Sequence, residues 1–295
     1  MIIILLVSKV LSYVVSKYDP ELALGQKEIV GFLKEHNKTV DVKNFGDLSF
    51  ITYNMEKKEA LNSVKQTNEL IKLVDNTHVP VICLQECELD QLKELSTRML
   101  PHYGIAEGKE SKVINPTNGN ETFLPILYDT EELRFLQSGR FKTNDPVVKN
   151  TYATWAIFNH VKKNLDFVVI NINLYSTKSL VDSLELASIL YDINATPSIK
   201  NKIIFISGTI NGMSDNTNTL INKGFVKLSN YNKNDGELKN TMNTYMDVLN
   251  NIERDFILAL NTKTIKAQPV YSSVLRLFKY GARFPVHSIV TINNH

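Results

Sequence analysis

Apolar and polar residues follow one another along the chain in patterns that predict short buried strands and amphipathic helices. The run at residues 79–84 is apolar and rich in β-branched side chains, which is typical of a strand buried on both faces. It ends at a carboxylate, Glu86, and residues 89–99 then carry helical spacing with acids at the start. Sheets of α/β proteins tend to place ligands and metal ions at such strand ends. The alternative is that Glu86 and Glu88 only complement the dipole of the helix.

The same patterns predict alternating strands and helices in the rest of the chain. Strands are predicted at residues 48–53, 123–128, 133–141, 152–159, 167–174, 202–207, 255–260 and 286–292, and helices at residues 21–36, 58–75 and 180–193. The strands at 123–128 and 133–141 are predicted to form a hairpin, and residues 104–122 and 229–250 to form polar surface loops. Because strands and helices mix throughout with no break in composition, one α/β domain of two or four layers is predicted.

The first eighteen residues are apolar but too short to cross a bilayer, so no transmembrane segment is predicted. We expect residues 1–18 to be a signal peptide that directs the protein to the secretory pathway. Lys9 interrupts the apolar run, and the alternative is an apolar N-terminal segment on a cytoplasmic protein. Residues 19–46 are expected to form a helix and a linker, and residues 47–295 the folded domain.

Composition and charge exclude only a few classes of function and site. The 295 residues carry a formal charge of +2 and no dominant basic block, so broad electrostatic capture of nucleic acid is not predicted. Cys83 and Cys87 are separated by roughly 13 Å in an extended chain, which is too far for a disulfide. With no histidine nearby they also lack the pattern of a structural zinc site. Both are expected to be ordinary buried thiols.

Polar side chains stand at the ends of five predicted strands. They are Asn54, Glu86, Asn173, the segment from Thr209 to Asn211, and Asp255. Side chains at strand ends can converge on one edge of a sheet sandwich and form a site there. Taken singly, each is better interpreted as an ordinary loop residue.

The order of these segments resembles the endonuclease/exonuclease/phosphatase superfamily, which includes DNase I-like nucleases, sphingomyelinases, inositol-polyphosphate phosphatases and deadenylases. Thr52-Tyr53-Asn54 resembles its first motif and Leu84-Gln85-Glu86 its second. The remaining motifs are matched in order by residues 126–129 with 138–139, 152–155, 171–174, 208–211, 254–257 and 284–286. The resemblance implies a DNase I-like, four-layered α/β sandwich, in which helices flank two packed mixed sheets. It also implies Mg²⁺-dependent cleavage of phosphodiesters or phosphomonoesters.

The resemblance assigns roles to residues of this chain. Asn54 and Glu86 match the family's residues that help to hold the metal, and Asp255 matches the aspartate of the penultimate motif. Asn211 matches the asparagine that contacts the phosphate. These assignments imply a magnesium site formed by Asn54, Glu86 and Asp255, vestigial or weak here.

The departures from the family pattern fall on the groups that move protons. Asn173 stands where the family has a catalytic histidine, and Thr209 where it has an aspartate. In the last motif, Arg283 replaces the catalytic histidine and Ala282 replaces the aspartate that orients it. Asn and Thr side chains do not exchange protons near neutral pH, and arginine stays protonated. A positioned acid or base contributes roughly 10² to 10⁴ in rate, so a severe loss of hydrolysis is expected.

This expectation depends on whether another histidine replaces the lost base and on what Arg283 binds. His287 lies about 13 Å further along its strand than Arg283, and His160 lies at the far end of another strand, so neither is expected to replace the lost base. The guanidinium of Arg283 suits a phosphate, a carboxylate or a nucleic acid backbone. The alternative is an arginine at the rim of the cleft that pairs with a nearby acid.

Three hypotheses follow. The first is a catalytically inactive superfamily member that acts as a binding or structural protein. It would have no cofactor or a weakly bound Mg²⁺, and its partner would be an unknown protein or a phosphate-bearing ligand such as RNA. The second is a divergent Mg²⁺-dependent phosphodiesterase or phosphatase of the nuclease, sphingomyelinase or inositol-phosphatase type. The third is a structural subunit of a larger assembly that uses the loops at 104–122 and 229–250 as contacts.

Overall fold

A computed structural model describes most of the predicted domain. The described residues are 46–56, 63–99, 101–114, 119–142, 152–174, 179–210, 215–228, 255–274, 283 and 285–294. The predicted signal peptide, the predicted helix at 21–36 and the predicted loop at 229–250 lie outside them, as do Asn211 and Ala282.

The strands form two six-stranded mixed sheets and one small ribbon. They are β1 (Leu48–Asn54), β2 (Val81–Gln85), β3 (Tyr103–Ala106), β4 (Lys112–Ile114), β5 (Glu121–Phe123), β6 (Ile126–Asp129), β7 (Leu133–Lys142), β8 (Tyr152–His160), β9 (Leu165–Leu174), β10 (Ile203–Ile210), β11 (Phe225–Lys227), β12 (Asp255–Leu260), β13 (Ile265–Val274) and β14 (Val286–Asn294). The first sheet has the order β13-β14-β1-β2-β6-β3 and the second the order β11-β12-β10-β9-β8-β7, and the ribbon consists of β4 and β5.

Helices cover the outer face of each sheet. They are α1 (Ser63–Thr77), α2 (Leu89–Met99), α3 (Ser179–Ala195) and α4 (Asp215–Asn222), with a short 3₁₀ turn at Lys109–Ser111. Helix α2 shows why they pack as they do, since Leu92, Leu95 and Met99 recur at three- and four-residue spacing and are buried against the first sheet. Among the helices that the structure describes, none combines the length and apolar character needed to cross a bilayer.

Apolar side chains fill the space between the two sheets. Aromatic rings are prominent there, and the ring of Phe205 lies 4.5 Å from that of Phe50 and 5.8 Å from that of Phe167, centroid to centroid. Separate apolar clusters join each sheet to its helices. The layers therefore run helix, sheet, sheet, helix, which confirms the predicted four-layered α/β sandwich.

Two local predictions were wrong. The strands predicted at 123–128 and 133–141 do not form a hairpin, because β6 belongs to the first sheet and β7 to the second. The side chain of Asp129 accepts the backbone N–H groups of Glu131 and Glu132, at 2.8 and 3.3 Å, and this Asx-type turn directs the chain from one sheet to the other. The segment 104–122, predicted as a loop, includes most of β3, the 3₁₀ turn and β4. Gly104 lies within β3, where the lack of a side chain makes room for the ring of Tyr128 directly across the sheet.

The strand pairing brings the predicted polar residues to one end of the sandwich. Strands β1 and β2 are parallel, with Asn54 in register with Gln85. In the second sheet, Thr209 of β10 is in register with Asn173 of parallel β9 and with Asp255 of antiparallel β12. The carboxyl ends of four strands and the start of a fifth therefore meet at the same edge.

Candidate functional site

Five of the predicted site residues contact one another between the ends of the two sheets. Asn54 Nδ2 lies 3.1 Å from Glu86 Oε1 and 3.3 Å from Thr209 Oγ1, which links the first sheet to the second. Asn173 Nδ2 lies 3.4 Å from the same oxygen of Glu86, and the Thr209 hydroxyl donates to Asp255 Oδ1. All except Glu86 are completely buried. These strand ends therefore converge as expected from the sequence, while Asn211, a further candidate on the resemblance, lies outside the described residues.

The orientation of the Asn54 amide is fixed by its own chain. The backbone N–H of Glu56 lies 2.9 Å from Asn54 Oδ1. A backbone N–H can only donate, so the atom that it contacts must be the carbonyl oxygen. Asn54 therefore presents its NH₂ group to the carboxylate of Glu86.

Glu86 is held in an unusual backbone conformation between β2 and α2. Its φ of +52° lies in the left-handed region, which is uncommon for any residue other than glycine. The next residue, Cys87, exchanges two backbone hydrogen bonds with Phe123, at 3.2 and 2.8 Å, and so fixes the chain just after the turn. Cys83 and Cys87 are free thiols and buried, as the sequence predicted.

A chain of buried polar groups behind Glu86 was not predicted. Gln66 Nε2 donates to the hydroxyl of Tyr53 at 2.9 Å, and Gln91 Nε2 donates to Gln66 Oε1 at 3.1 Å. Gln91 Oε1 in turn accepts the backbone N–H of Glu88 at 2.9 Å. Burial raises the pKa of Tyr53 far above its ordinary value, so its phenol stays neutral. The available signal was that both glutamines occupy helix positions whose neighbours at four-residue spacing, Leu70 and Leu95, are apolar.

A second buried polar bridge joins the sheets just below the site. Gln85 Nε2 donates to Asn171 Oδ1 at 2.7 Å, and to Thr52 Oγ1 at 3.0 Å. Asn171 Nδ2 then donates to the carbonyl oxygens of Leu84 and Pro125, at 2.7 and 3.1 Å. Each of these amides is paired on both its atoms, so the bridge fixes how the two sheet ends face each other.

Arg283 lies inside the cluster. Its side chain is 2% exposed, with Nη1 3.7 Å from Asp255 Oδ2 and Nε 3.5 Å from Glu56 Oε2. The interpretation of Arg283 as paired with nearby acids therefore describes its contacts, although the residue is buried and not at the rim. A buried cation is tolerated when carboxylates pair with it, as they do here.

The charges at this end of the sandwich are predominantly negative among the described residues. Glu56, Glu86 and Asp255 supply three carboxyl groups and Arg283 one guanidinium. The pKa of Glu86 is raised by its burial and by the charge of Glu56, against the opposing effects of the Asn54 hydrogen bond, the Arg283 charge and the Asn173 hydrogen bond. Such a cluster favours a proton or another cation over an anion.

The two histidines considered from the sequence are directed away from the cluster. His287 is in register with Ile51, whose side chain packs on the helix-covered face of the first sheet. Residues directly opposite in an antiparallel pair share a face, so His287 lies on that face and Asn54 on the other. Burial lowers the pKa of His287 to about 4. His160 ends β8 opposite Leu165, with Nε2 2.9 Å from the carbonyl oxygen of Asp47.

Comparison with known proteins places the chain in a family. No family model matches it. A protein of Encephalitozoon cuniculi, named "Uncharacterized protein ECU07_0920", is 31% identical over 276 residues, which cover 92% of this chain and 87% of the relative. The chain belongs to the same family as this protein.

Solved structures share the fold at low sequence identity. An endonuclease/exonuclease/phosphatase family protein from Bacteroides thetaiotaomicron superposes with a TM-score of 0.63 at 17% identity, covering 84% of this chain and 98% of that one. D. rerio TDP2, complexed with a single strand DNA product, gives a TM-score of 0.65 at 16% identity, with 83% and 98% covered. The human Nocturnin catalytic domain gives 0.62 at 12% identity, with 83% and 94% covered. The chain thus has the DNase I-like fold of the endonuclease/exonuclease/phosphatase superfamily, as its motifs implied.

The residues matched to the superfamily's metal ligands do not fit Mg²⁺ as they are arranged. Asn54 directs its NH₂ group, not its oxygen, into the cluster, and Glu86 Oε1 already accepts two amide groups. Asp255 lies between the Thr209 hydroxyl and the Arg283 guanidinium. No group of three or more His, Cys, Asp and Glu residues suited to a metal ion occurs within the described ranges. A divalent cation would meet amide donors and a neighbouring positive charge where it needs oxygen ligands.

Proposed function

We propose that the chain is a catalytically inactive relative of the phosphoesterases that share its fold, and that it acts as a binding or structural protein. The observation that carries this proposal is the buried position of Arg283, where the superfamily resemblance places a catalytic histidine. Its guanidinium is 2% exposed and lies within 3.7 Å of Asp255 and 3.5 Å of Glu56. A guanidinium keeps its proton at any physiological pH, so it cannot accept one from an attacking water.

The neighbouring substitutions support the same proposal. Asn173 and Thr209 are completely buried and hydrogen-bonded to Glu86 and Asp255, at positions where proton-exchanging groups were implied. Neither side chain exchanges protons near neutral pH. Losses within one catalytic unit are not additive, so together they cost about as much as the worst single loss. That loss is still on the order of 10² to 10⁴ in rate.

The charge of the cluster argues against RNA as the partner at this end of the sandwich. Three carboxyl groups and one guanidinium repel a phosphate more than they attract it. The single strand DNA product bound to D. rerio TDP2 and the sulfate anion bound to human Nocturnin are ligands of those proteins. We propose that this chain has lost that preference for anions along with its proton-transfer groups.

A second candidate function is favoured by one observation. The raised pKa of Glu86, which its burial causes, is the property that lets a carboxylate act as a general base nearer to neutral pH. A divergent phosphoesterase could use Glu86 in this way.

Phosphodiesterase assays separate the two candidates. We expect the wild-type protein to hydrolyse bis(p-nitrophenyl) phosphate, single-stranded DNA and sphingomyelin no faster than the Glu86→Ala variant, with either Mg²⁺ or Mn²⁺ present. The physical reason is that both proteins lack the histidine to which the superfamily resemblance assigns the proton transfer from water. A wild-type rate at least about 100-fold above the variant, the usual contribution of one general base, would reject the inactive assignment and show that Glu86 is needed for hydrolysis.

A further inference from the structure

The carboxylates of the cluster need a positive counter-charge because of their burial. Asp255 is completely buried and Glu86 largely so. An ionised carboxylate removed from water is strongly destabilising unless a cation or several hydrogen-bond donors compensate for it. In a metal-dependent site of this architecture, a divalent ion would supply that charge. Here a protein side chain supplies positive charge beside one of these carboxylates, since Arg283 Nη1 lies 3.7 Å from Asp255 Oδ2.

Hydrogen-bond donors also surround other carboxylate oxygens of the cluster. Glu86 Oε1 accepts the NH₂ groups of Asn54 and Asn173, at 3.1 and 3.4 Å. Asp255 Oδ1 accepts the hydroxyl of Thr209. Each of these carboxylate oxygens is therefore compensated from within the chain, which is the opposite of a ligand set that turns its oxygens toward a shared ion.

We propose that Arg283 is a built-in replacement for the divalent cation, and that it makes the folded site independent of metal. Its guanidinium neutralises the buried Asp255 and the partly exposed Glu56, so the wild-type protein needs no Mg²⁺ for stability. This goes beyond the lack of catalysis, because a metal-independent site can be tested whether or not the protein hydrolyses anything.

The proposal has a consequence for the cluster without its guanidinium. Removing Arg283 takes away the cation that lies 3.7 Å from Asp255 Oδ2 and 3.5 Å from Glu56 Oε2. The same cluster contains Asn173 Oδ1, which is buried and has no hydrogen-bond partner among the described residues. Carboxylate and amide oxygens are the ligands that Mg²⁺ and Mn²⁺ prefer. The Arg283→Ala protein should therefore acquire a divalent-cation site that the wild type lacks.

Thermal unfolding with and without metal tests this directly. We expect Arg283→Ala to lower the Tm on the order of 10 °C in EDTA, since it breaks a buried ion pair. Mg²⁺ at about 100 times its Kd should restore several degrees, while NaCl of equal ionic strength should not. The wild-type Tm should be the same in EDTA and in Mg²⁺, to within about 1 °C. Mn²⁺ titration followed by electron paramagnetic resonance should show one site in the variant and none in the wild type.

Two further variants control for trivial explanations. Lys112 pairs with Glu121 at 2.8 Å on the surface, where ion pairs contribute little, so Lys112→Ala should leave both the Tm and the lack of a Mg²⁺ response unchanged. The double variant Arg283→Ala/Asp255→Asn removes both buried charges. It should unfold at a higher temperature in EDTA than Arg283→Ala alone and respond less to Mg²⁺.

Each outcome decides the proposal. If Arg283→Ala folds only when Mg²⁺ or Mn²⁺ is present, the cation has replaced the guanidinium and the proposal stands. Stoichiometric Mn²⁺ binding by the wild type would overturn it. The proposal would also be overturned if Arg283→Ala bound no Mn²⁺ and its Tm did not rise in Mg²⁺. A double variant that is no more stable than Arg283→Ala in EDTA would overturn it as well. Hydrolysis by the wild type would contradict the proposed function but not the role of Arg283, which the metal-binding experiments decide.

Discussion

Replacing Gly208 by alanine should prevent the protein from folding stably. Gly208 lies in β10 between Ile172 of β9 and Phe256 of β12, with a φ of +145°. A Cβ at this position would lie 1.9 Å from the carbonyl oxygen of Ile172. That oxygen is part of the backbone of the neighbouring strand, so it cannot move aside without breaking the ladder. We expect a destabilisation of at least about 4 kcal/mol, measured by urea unfolding, or no soluble folded protein.

Gly119 provides the matched control, because it also has a positive φ. Its φ is +71°, and no atom of the described residues lies within 4 Å of the position that a Cβ would take. Gly119→Ala should cost only the local penalty of the left-handed conformation, about 1–2 kcal/mol. Equal losses at the two positions would show that backbone conformation, and not the close approach of β9 to β10, is what Gly208 provides.

Acidification should destabilise the protein through His287. Burial lowers its pKa to about 4 in the folded state, from an ordinary value of 6.5. Below about pH 6.5, His287 is protonated in the unfolded chain but stays neutral in the folded chain. Acid therefore stabilises the unfolded state relative to the folded state. The contribution of a neutral His287 is therefore complete above about pH 6.5 and is lost as the pH falls toward 4. Between about pH 7 and pH 5 the expected loss from this residue alone is about 2 kcal/mol.

Urea unfolding of the wild type and of His287→Gln at both pH values isolates this contribution. Glu86 works in the opposite direction, since its raised pKa lets the folded state bind a proton first as the pH falls. Glu86 is present in both proteins, so its effect cancels when their pH dependences are subtracted. A His287→Gln protein that loses as much stability as the wild type would contradict the assignment of the effect to His287.

The sequence was sufficient for the positions of the site residues, because they follow from strand order. Asn54 and Glu86 end successive parallel strands, and such ends must meet at one edge of a sheet. Asn173 and Thr209 obey the same rule in the second sheet. The quoted motifs were enough to place these ends in the right order, and the four-layered fold followed from the resemblance.

Other features could not be predicted, for reasons that lie in particular residues. Strand β13 was missed, since it contains Pro269 and many polar residues, which an edge strand with a register shift tolerates. Gly104 looked like a loop signal but makes room for Tyr128 across the sheet. The burial of Arg283 depends on Glu56 and Asp255, which come from distant parts of the chain and which no local pattern connects to it.

A single-turnover measurement, with protein in large excess over a radiolabelled single-stranded DNA or bis(p-nitrophenyl) phosphate and with Mg²⁺ present, tests the central claim most directly. This design detects hydrolysis that is too slow to be seen over many turnovers. We predict that product forms at the same rate with wild-type protein, with Glu86→Ala and with buffer alone. An exponential phase of product formation that the wild type shows and Glu86→Ala lacks would contradict the claim that this site is catalytically inactive.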